Sequence, residues 1–111
     1  MKKTNWKEKR KGEIEKLFDC VKEKFSVSKE QLLSSSRKKE LVIARKAFMN
    51  ILFEVFELED GMLQEDIASV VNRDRTSFTY HRKEHLNFYG KYKKYKEEYN
   101  TLKEQYKNTL K

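Results

Sequence analysis

Proline is absent from the 111-residue chain, and glycine occurs only at Gly12, Gly61 and Gly90. A loop-rich or many-turned β fold needs both residues, so this composition argues against one. A Walker-type phosphate loop and a dinucleotide fingerprint each require clustered glycines, and three isolated ones build neither. Cys20 is the only cysteine, so no disulfide framework forms, which points to a reducing compartment. It sits beside apolar positions of an amphipathic segment, which favours a small buried hydrophobe over a nucleophile that would need an activating base. Long apolar runs are lacking too. The richest, Ala47 to Phe56, is interrupted by Asn50 and Glu54 and is too short for a bilayer. Met1-Lys2-Lys3 has the charge of a signal-peptide start, but no apolar core follows it. The expectation is a soluble, cytoplasmic protein with no membrane partner.

Charge is abundant and unevenly spread. Lys and Arg number 26 against 18 Asp and Glu, a net of +8, and charged residues make up 40% of the chain. Residues 1–36 carry a net of +4, and 37–46 add +4 through Arg37, Lys38, Lys39, Arg45 and Lys46 against Glu40. Residues 47–72 hold no Lys or Arg and reach −6; residues 73–94 return to +5. Two basic blocks flanking an acidic one form a single cationic face if the fold brings them together. The plainer alternative is that the charge only solvates a small helical protein. At this size a domain buries only roughly 60–70% of its unfolded surface, so its few apolar residues must be well placed.

The apolar spacing is helical throughout. Ile14, Leu17, Phe18, Val21 and Phe25 recur every three or four residues, with Trp6 extending the stripe. Ser28-Lys-Glu-Gln31 reads as a capping box opening a short helix with Leu32 and Leu33, which the Ser34-Ser35-Ser36 run ends. A long helix is expected from about Arg37 to about Phe56, with Leu41, Ala44, Phe48, Ile51, Leu52 and Val55 inward and Ile43, Ala47 and Phe53 widening the stripe. Its basic residues fall in the first three turns, unfavourable on dipole grounds and a sign that a partner uses them. Glu57 to Gly61 is the break. A short helix over Met62 to Val71 follows, then a tight turn at Asn72-Arg73, since Asn tolerates left-handed backbone. Asp74 is the N-cap of a helix starting at Arg75, its carboxylate accepting from the amide of Thr76 or Ser77. A short helix, a tight turn and a second helix with a polar N-terminus form the helix-turn-helix layout.

The tail from Leu86 to Lys111 reads as helix, with Gly90 a kink position. Tyr92, Tyr95, Tyr99, Leu102 and Tyr106 alternate by three and four along a seam of about two and a half heptads, shorter than a confident coiled coil requires. The seam packs on the protein's own N-terminal helix or joins two copies as a homodimer. Base stacking by these tyrosines is the weaker reading.

Two stretches resemble a known family. Phe25 to Arg45, with Leu32-Leu33, Ser36-Arg37-Lys38-Lys39 and Ala44-Arg45, is similar to the start of the C-terminal DNA-binding domain of DnaA, the bacterial replication initiator. Asn72-Arg73-Asp74-Arg75-Thr76-Ser77 resembles that family's Gly-Gly-Arg-Asp-His-Thr-Thr signature. The likeness covers roughly residues 13 to 85, without the initiator's ATPase domain. It implies an all-α helix-turn-helix domain of Trp-repressor/DnaA C-terminal type. With the residue pattern, the expected division is a DNA-binding domain over 1–85, its helix-turn-helix at about 62–85, and an added C-terminal helix over 86–111 that the likeness does not cover. The resemblance further implies sequence-specific binding of double-stranded DNA at a DnaA-box-like site, in replication or transcription control. By the same resemblance Arg37 enters the minor groove, while Asp74, Arg75, Thr76 and Ser77 sit in the major groove. Arg is a bidentate donor to guanine, the methyl of Thr76 fits a thymine methyl, and Asp74 can accept from cytosine as well as cap. Lys38, Lys39, Arg45, Arg82 and Lys83 are read as phosphate contacts. Arg73, inside the motif, and Tyr80, where the family has His, complete the expected DNA-binding set.

The departures from the family are specific. One turn glycine is missing and Asn72 replaces the other. Arg75 stands where the family has His, Phe53 where a basic residue is frequent, and His81 where a small apolar residue is usual. A retained DNA-binding mode with a shifted preferred sequence is expected. His81 and His85, four apart, have metal-ligand spacing, but Arg82 occupies the place of a metalloprotease Glu and no further ligand is close in sequence. One histidine is expected half-buried beside Phe78 and the other solvated; no metal or cofactor is expected. No nucleophile–base pair or paired-carboxylate constellation stands out, so an enzyme is not expected. The alternative function is a small helical protein-interaction module with an incidental basic face.

Overall fold

A computed structural model describes residues 6–57 and 62–111, with side chains from Glu8 onward. The expected contribution of the Trp6 side chain and most of the Glu57–Gly61 break lie outside the described residues. Six helices and no strands make up the described chain: α1 (Trp6–Phe25), α2 (Lys29–Leu33), α3 (Lys39–Phe56), α4 (Gln64–Val70), α5 (Arg75–Lys91) and α6 (Lys93–Thr109). The fold is all-α, as the spacing predicts.

Local chemistry sets several boundaries. At α2 the Gln31 amide donates to Ser28 Oγ at 3.1 Å and the Ser28 amide donates to Gln31 Oε1 at 2.8 Å, the reciprocal box that satisfies two otherwise orphaned donors. α3 starts at Lys39, two residues later than the sequence suggests, and its N-cap Lys38 lends no side-chain cap. The Lys38 amide instead donates to Ser36 Oγ, so the serine run shapes the approach to the helix. α3 closes at Glu57, which adopts a left-handed conformation with φ of 47°.

Residues 44 to 52 of α3 are all buried, because α1, α2, α4, α5 and α6 all pack on this helix. It is a central shaft rather than a one-faced surface helix, and Arg45, Lys46 and Asn50 go inside with the apolar residues. Phe18 of α1 meets Phe48 at a ring distance of 4.5 Å, and Phe78 of α5 meets Phe53 edge-on at 5.6 Å. Cys20 is buried, and burial raises its thiol pKa, as suits a packing residue.

In the tail the helix boundary falls later than expected, and the seam takes the first of its two expected places, on the N-terminal helix. Helix α5 runs through Gly90 to Lys91, so a boundary at 85 would cut it in mid-helix; the interruption falls at Tyr92, which has extended backbone. The tyrosine seam is closed inside one chain: Tyr95, Tyr99, Leu102 and Tyr106 are all buried in the core. The Tyr106 hydroxyl donates to the Glu13 carbonyl at 2.8 Å, and Lys16 Nζ donates to the Thr109 carbonyl at 3.2 Å, tying α6 to α1. Of the seam residues only Tyr92 stays exposed, so those four side chains leave no apolar strip for a homodimer.

Candidate nucleic-acid interface

The segment between α2 and α3 carries Arg37 and Lys38, and Lys39 opens α3; all three are exposed. A five-residue helix ends with carbonyls that have no partners within it, and Arg45 supplies them. Its Nε donates to the Leu32 carbonyl at 2.7 Å and its Nη1 to the Ser36 carbonyl at 2.6 Å. Its Nη2 reaches the carbonyls of Gln31 and Ser34 at 3.0 and 2.8 Å. Arg45 is 2% exposed. The expected phosphate contact at Arg45 is therefore corrected: its rigid fork of donors is spent on the inner side of the loop that displays Arg37.

The second element is the corner between α4 and α5. Asn72 takes φ of 59°, the left-handed turn that its side chain tolerates. Asp74 caps α5, its Oδ1 accepting from the Ser77 amide at 2.9 Å. The side chain of Arg73 turns back rather than outward. Its Nη2 donates to the Ser34 carbonyl at 2.6 Å, and its Nη1 to the carbonyls of Val71 and Asn72. Asn72 Nδ2 lies 3.4 Å from the Leu33 carbonyl. Arg73, expected in the DNA-binding set, thus joins the corner to the basic loop through backbone carbonyls.

The two segments that the sequence singles out consequently share one cleft of about 590 Å³, lined by Arg37 and Ser35 on one side and Asn72, Arg73, Ser77 and Tyr80 on the other, with Arg45 and His81 among the lining residues. Beside it α5 exposes Arg75, Thr76, Thr79, Tyr80 and Lys83. No exposed residue of α5 is acidic; its one carboxylate, Glu84, is half-buried. Arg75 lies toward α4 and borders a shallow depression with Leu63 and Glu65. Thr79 Oγ1 donates to the Arg75 carbonyl.

Other expected contacts lie elsewhere. Arg82 faces inward across α3: its Nη1 donates to Asn50 Oδ1 at 2.8 Å and to Glu54 Oε2 at 2.9 Å, and its guanidinium lies 4.9 Å from the Phe53 ring centre. That pairing replaces the phosphate contact expected of Arg82. Both histidines are buried, so neither is solvated as expected of one of them. Burial first, then the charges of Lys46, Arg45 and Arg73, hold His81 down to about 4. Burial likewise brings His85 down to about 4, Glu54 opposing. His85 Nδ1 is 2.7 Å from the Tyr95 hydroxyl and its Nε2 is 4.0 Å from Glu54. A carboxylate beside Nε2 favours the proton there, so the Tyr95 hydroxyl donates to Nδ1.

Sequence reasoning missed Glu54 and Lys46. Glu54, read from the sequence only as acidic charge and as a break in an apolar run, accepts from Tyr99, Arg82 and Lys103. Burial alone would raise its carboxyl, but these hydrogen bonds outweigh burial and take it to about 2. Two polar residues one turn apart, Asn50 and Glu54, inside an apolar stretch were the available signal. Lys46 is buried with Nζ 3.6 Å from the Phe88 ring centre, and burial lowers its pKa. Two of the five cations of residues 37–46 are therefore internal. Among the described residues no helix is long and apolar enough to cross a membrane.

Among known protein families, the model of the bacterial dnaA protein helix-turn-helix matches residues 14–84. No curated protein and no solved structure matches the chain.

Proposed function

The chain belongs to the bacterial DnaA helix-turn-helix family, a family of DNA-binding domains, and on that premise we propose that it binds double-stranded DNA sequence-specifically at a site related to the DnaA box. The observation that supports the reading is the single cleft that Arg37 of the loop lines together with Asn72, Ser77 and Tyr80 of the corner and of α5. Arg37 serves the minor groove, where narrow A·T-rich stretches favour arginine. Arg75, Thr76, Ser77 and Tyr80 serve base edges in the major groove, and Asp74 fixes the helix start from which they project. Lys38, Lys39 and Lys83 contact phosphates and set register. Arg45, Arg73 and Arg82 hold the reading parts in place from within. The role is occupation of such sites in replication or transcription control, in a cytoplasmic setting.

Selection from a random duplex library, followed by a salt titration on the recovered sequence, tests the proposal. A recovered motif related to the initiator's box, with affinity falling steeply as salt rises, supports it. An unselected library, or affinity indifferent to salt, overturns it and returns the chain to a protein-interaction module.

A further inference from the structure

We propose that helix α6 sets the angle of the recognition helix α5 through Glu54, which makes Tyr99 and Lys103 positioning residues for base reading. The inference rests on the duplex-reading function proposed above. It concerns a helix that lies wholly outside the family match of residues 14–84.

The linkage is a continuous polar ladder across three helices. Asn50 of α3 is fully buried, and its Nδ2 donates to the Lys46 carbonyl at 2.8 Å and the His81 carbonyl at 3.3 Å. Its Oδ1 accepts from Arg82 Nη1, which also donates to Glu54 Oε2. The remaining oxygen of that carboxylate, Oε1, accepts from the Tyr99 hydroxyl at 2.5 Å and from Lys103 Nζ at 3.1 Å, both on α6. A Glu side chain has three rotatable bonds, and a single partner on one oxygen leaves it several orientations. Partners on both oxygens leave it one. Arg82, in turn, follows the carboxylate that it pairs with.

The ladder grips α5 at residues 81 and 82, and the reading residues extend beyond this anchor toward the helix start. At 1.5 Å per residue, Thr76 lies about 9 Å along the axis from residue 82, so a tilt of about 10° there displaces it by roughly 1.5 Å. That is enough to ruin hydrogen bonds to base edges, whose tolerance is a few tenths of an ångström. Lysine contacts to phosphate through long flexible stems survive such a shift. Loosening α6 should therefore erode sequence discrimination while sparing general affinity for duplex DNA.

Tyr99→Phe removes one hydroxyl and no charge, and Lys103→Met alters a side chain that is only 30% exposed and makes its contact on Glu54. Each full-length variant is titrated against the selected duplex and a scrambled duplex, well below its own melting temperature. For Tyr99→Phe the expected result is a loss of about threefold to thirtyfold on the selected duplex, with scrambled-duplex affinity and salt slope unchanged. Lys103→Met should reproduce the loss of discrimination, and Lys103→Arg should restore it. Lower melting temperatures with an unchanged ratio of the two affinities would mean that the network is only structural, and would overturn the inference alone. A wild-type protein without sequence preference would overturn the function reading, and this inference with it.

Discussion

Arg45 and Arg37 stand eight residues apart in the same basic block, and nothing in their type separates them. One displays its guanidinium on the cleft, while the other folds it under the loop against four backbone carbonyls. A charge count finds cations but not which of them have acceptors waiting inside, and those acceptors exist only once α2 has ended short. Arg45→Ala takes a donor from each of these carbonyls, of which Ser34 keeps Arg73 and Gln31 keeps the Ser34 hydroxyl. The expected cost is roughly 1–3 kcal/mol of folding stability, read as a lower urea midpoint. Arg45→Lys should recover little of it, because an ammonium cannot span four acceptors in a plane. Lys46 and Arg82 escaped the sequence for the same reason: their partners, the Phe88 ring and the Glu54 carboxylate, come from other helices.

Elements announced by adjacent residues were legible. The Ser28–Gln31 box, the Asn72 turn and the Asp74 cap all depend on atoms within three residues of one another, and each forms as its spacing requires. The interruption at Tyr92 carries no proline or glycine of its own; Gly90, the expected kink position, lies two residues before it and within the helix, so the sequence marked the neighbourhood of the break but not its place. The halves of the cleft were likewise readable as motifs, but their stitching through Arg73 was not. For α5 itself, Arg75→Ala or Thr76→Ala should cost about 1–3 kcal/mol on the selected duplex and relax preference at one position. Lys38→Ala, on the loop, should weaken all sequences alike and lower the salt slope by about one. Competition titrations at several salt concentrations separate the two patterns; equal losses on selected and scrambled DNA for Arg75→Ala would remove its reading role.

For the whole molecule, acid is the expected weakness. His81 and His85 titrate near 4 in the folded chain against an ordinary value of 6.5, so the unfolded chain takes up protons first as pH falls. Their contribution is complete above about pH 6.5 and declines toward pH 4, by about 1.4 kcal/mol per pH unit for each group. Glu54, held near 2 against 4.5, adds a further loss as pH falls from 4.5 toward 2. Urea midpoints measured from pH 7.5 to pH 4 should drop steeply through this window, and His85→Gln should flatten the curve. A midpoint indifferent to pH would contradict the burial of both imidazoles. The join between Arg73 and the Ser34 carbonyl also fixes the gauge of the molecule. If the loop and the corner grip neighbouring grooves as proposed, their being fastened to each other makes the molecule a caliper of set opening, and a duplex lengthened by one base pair between the two grooves should offer it no second fit.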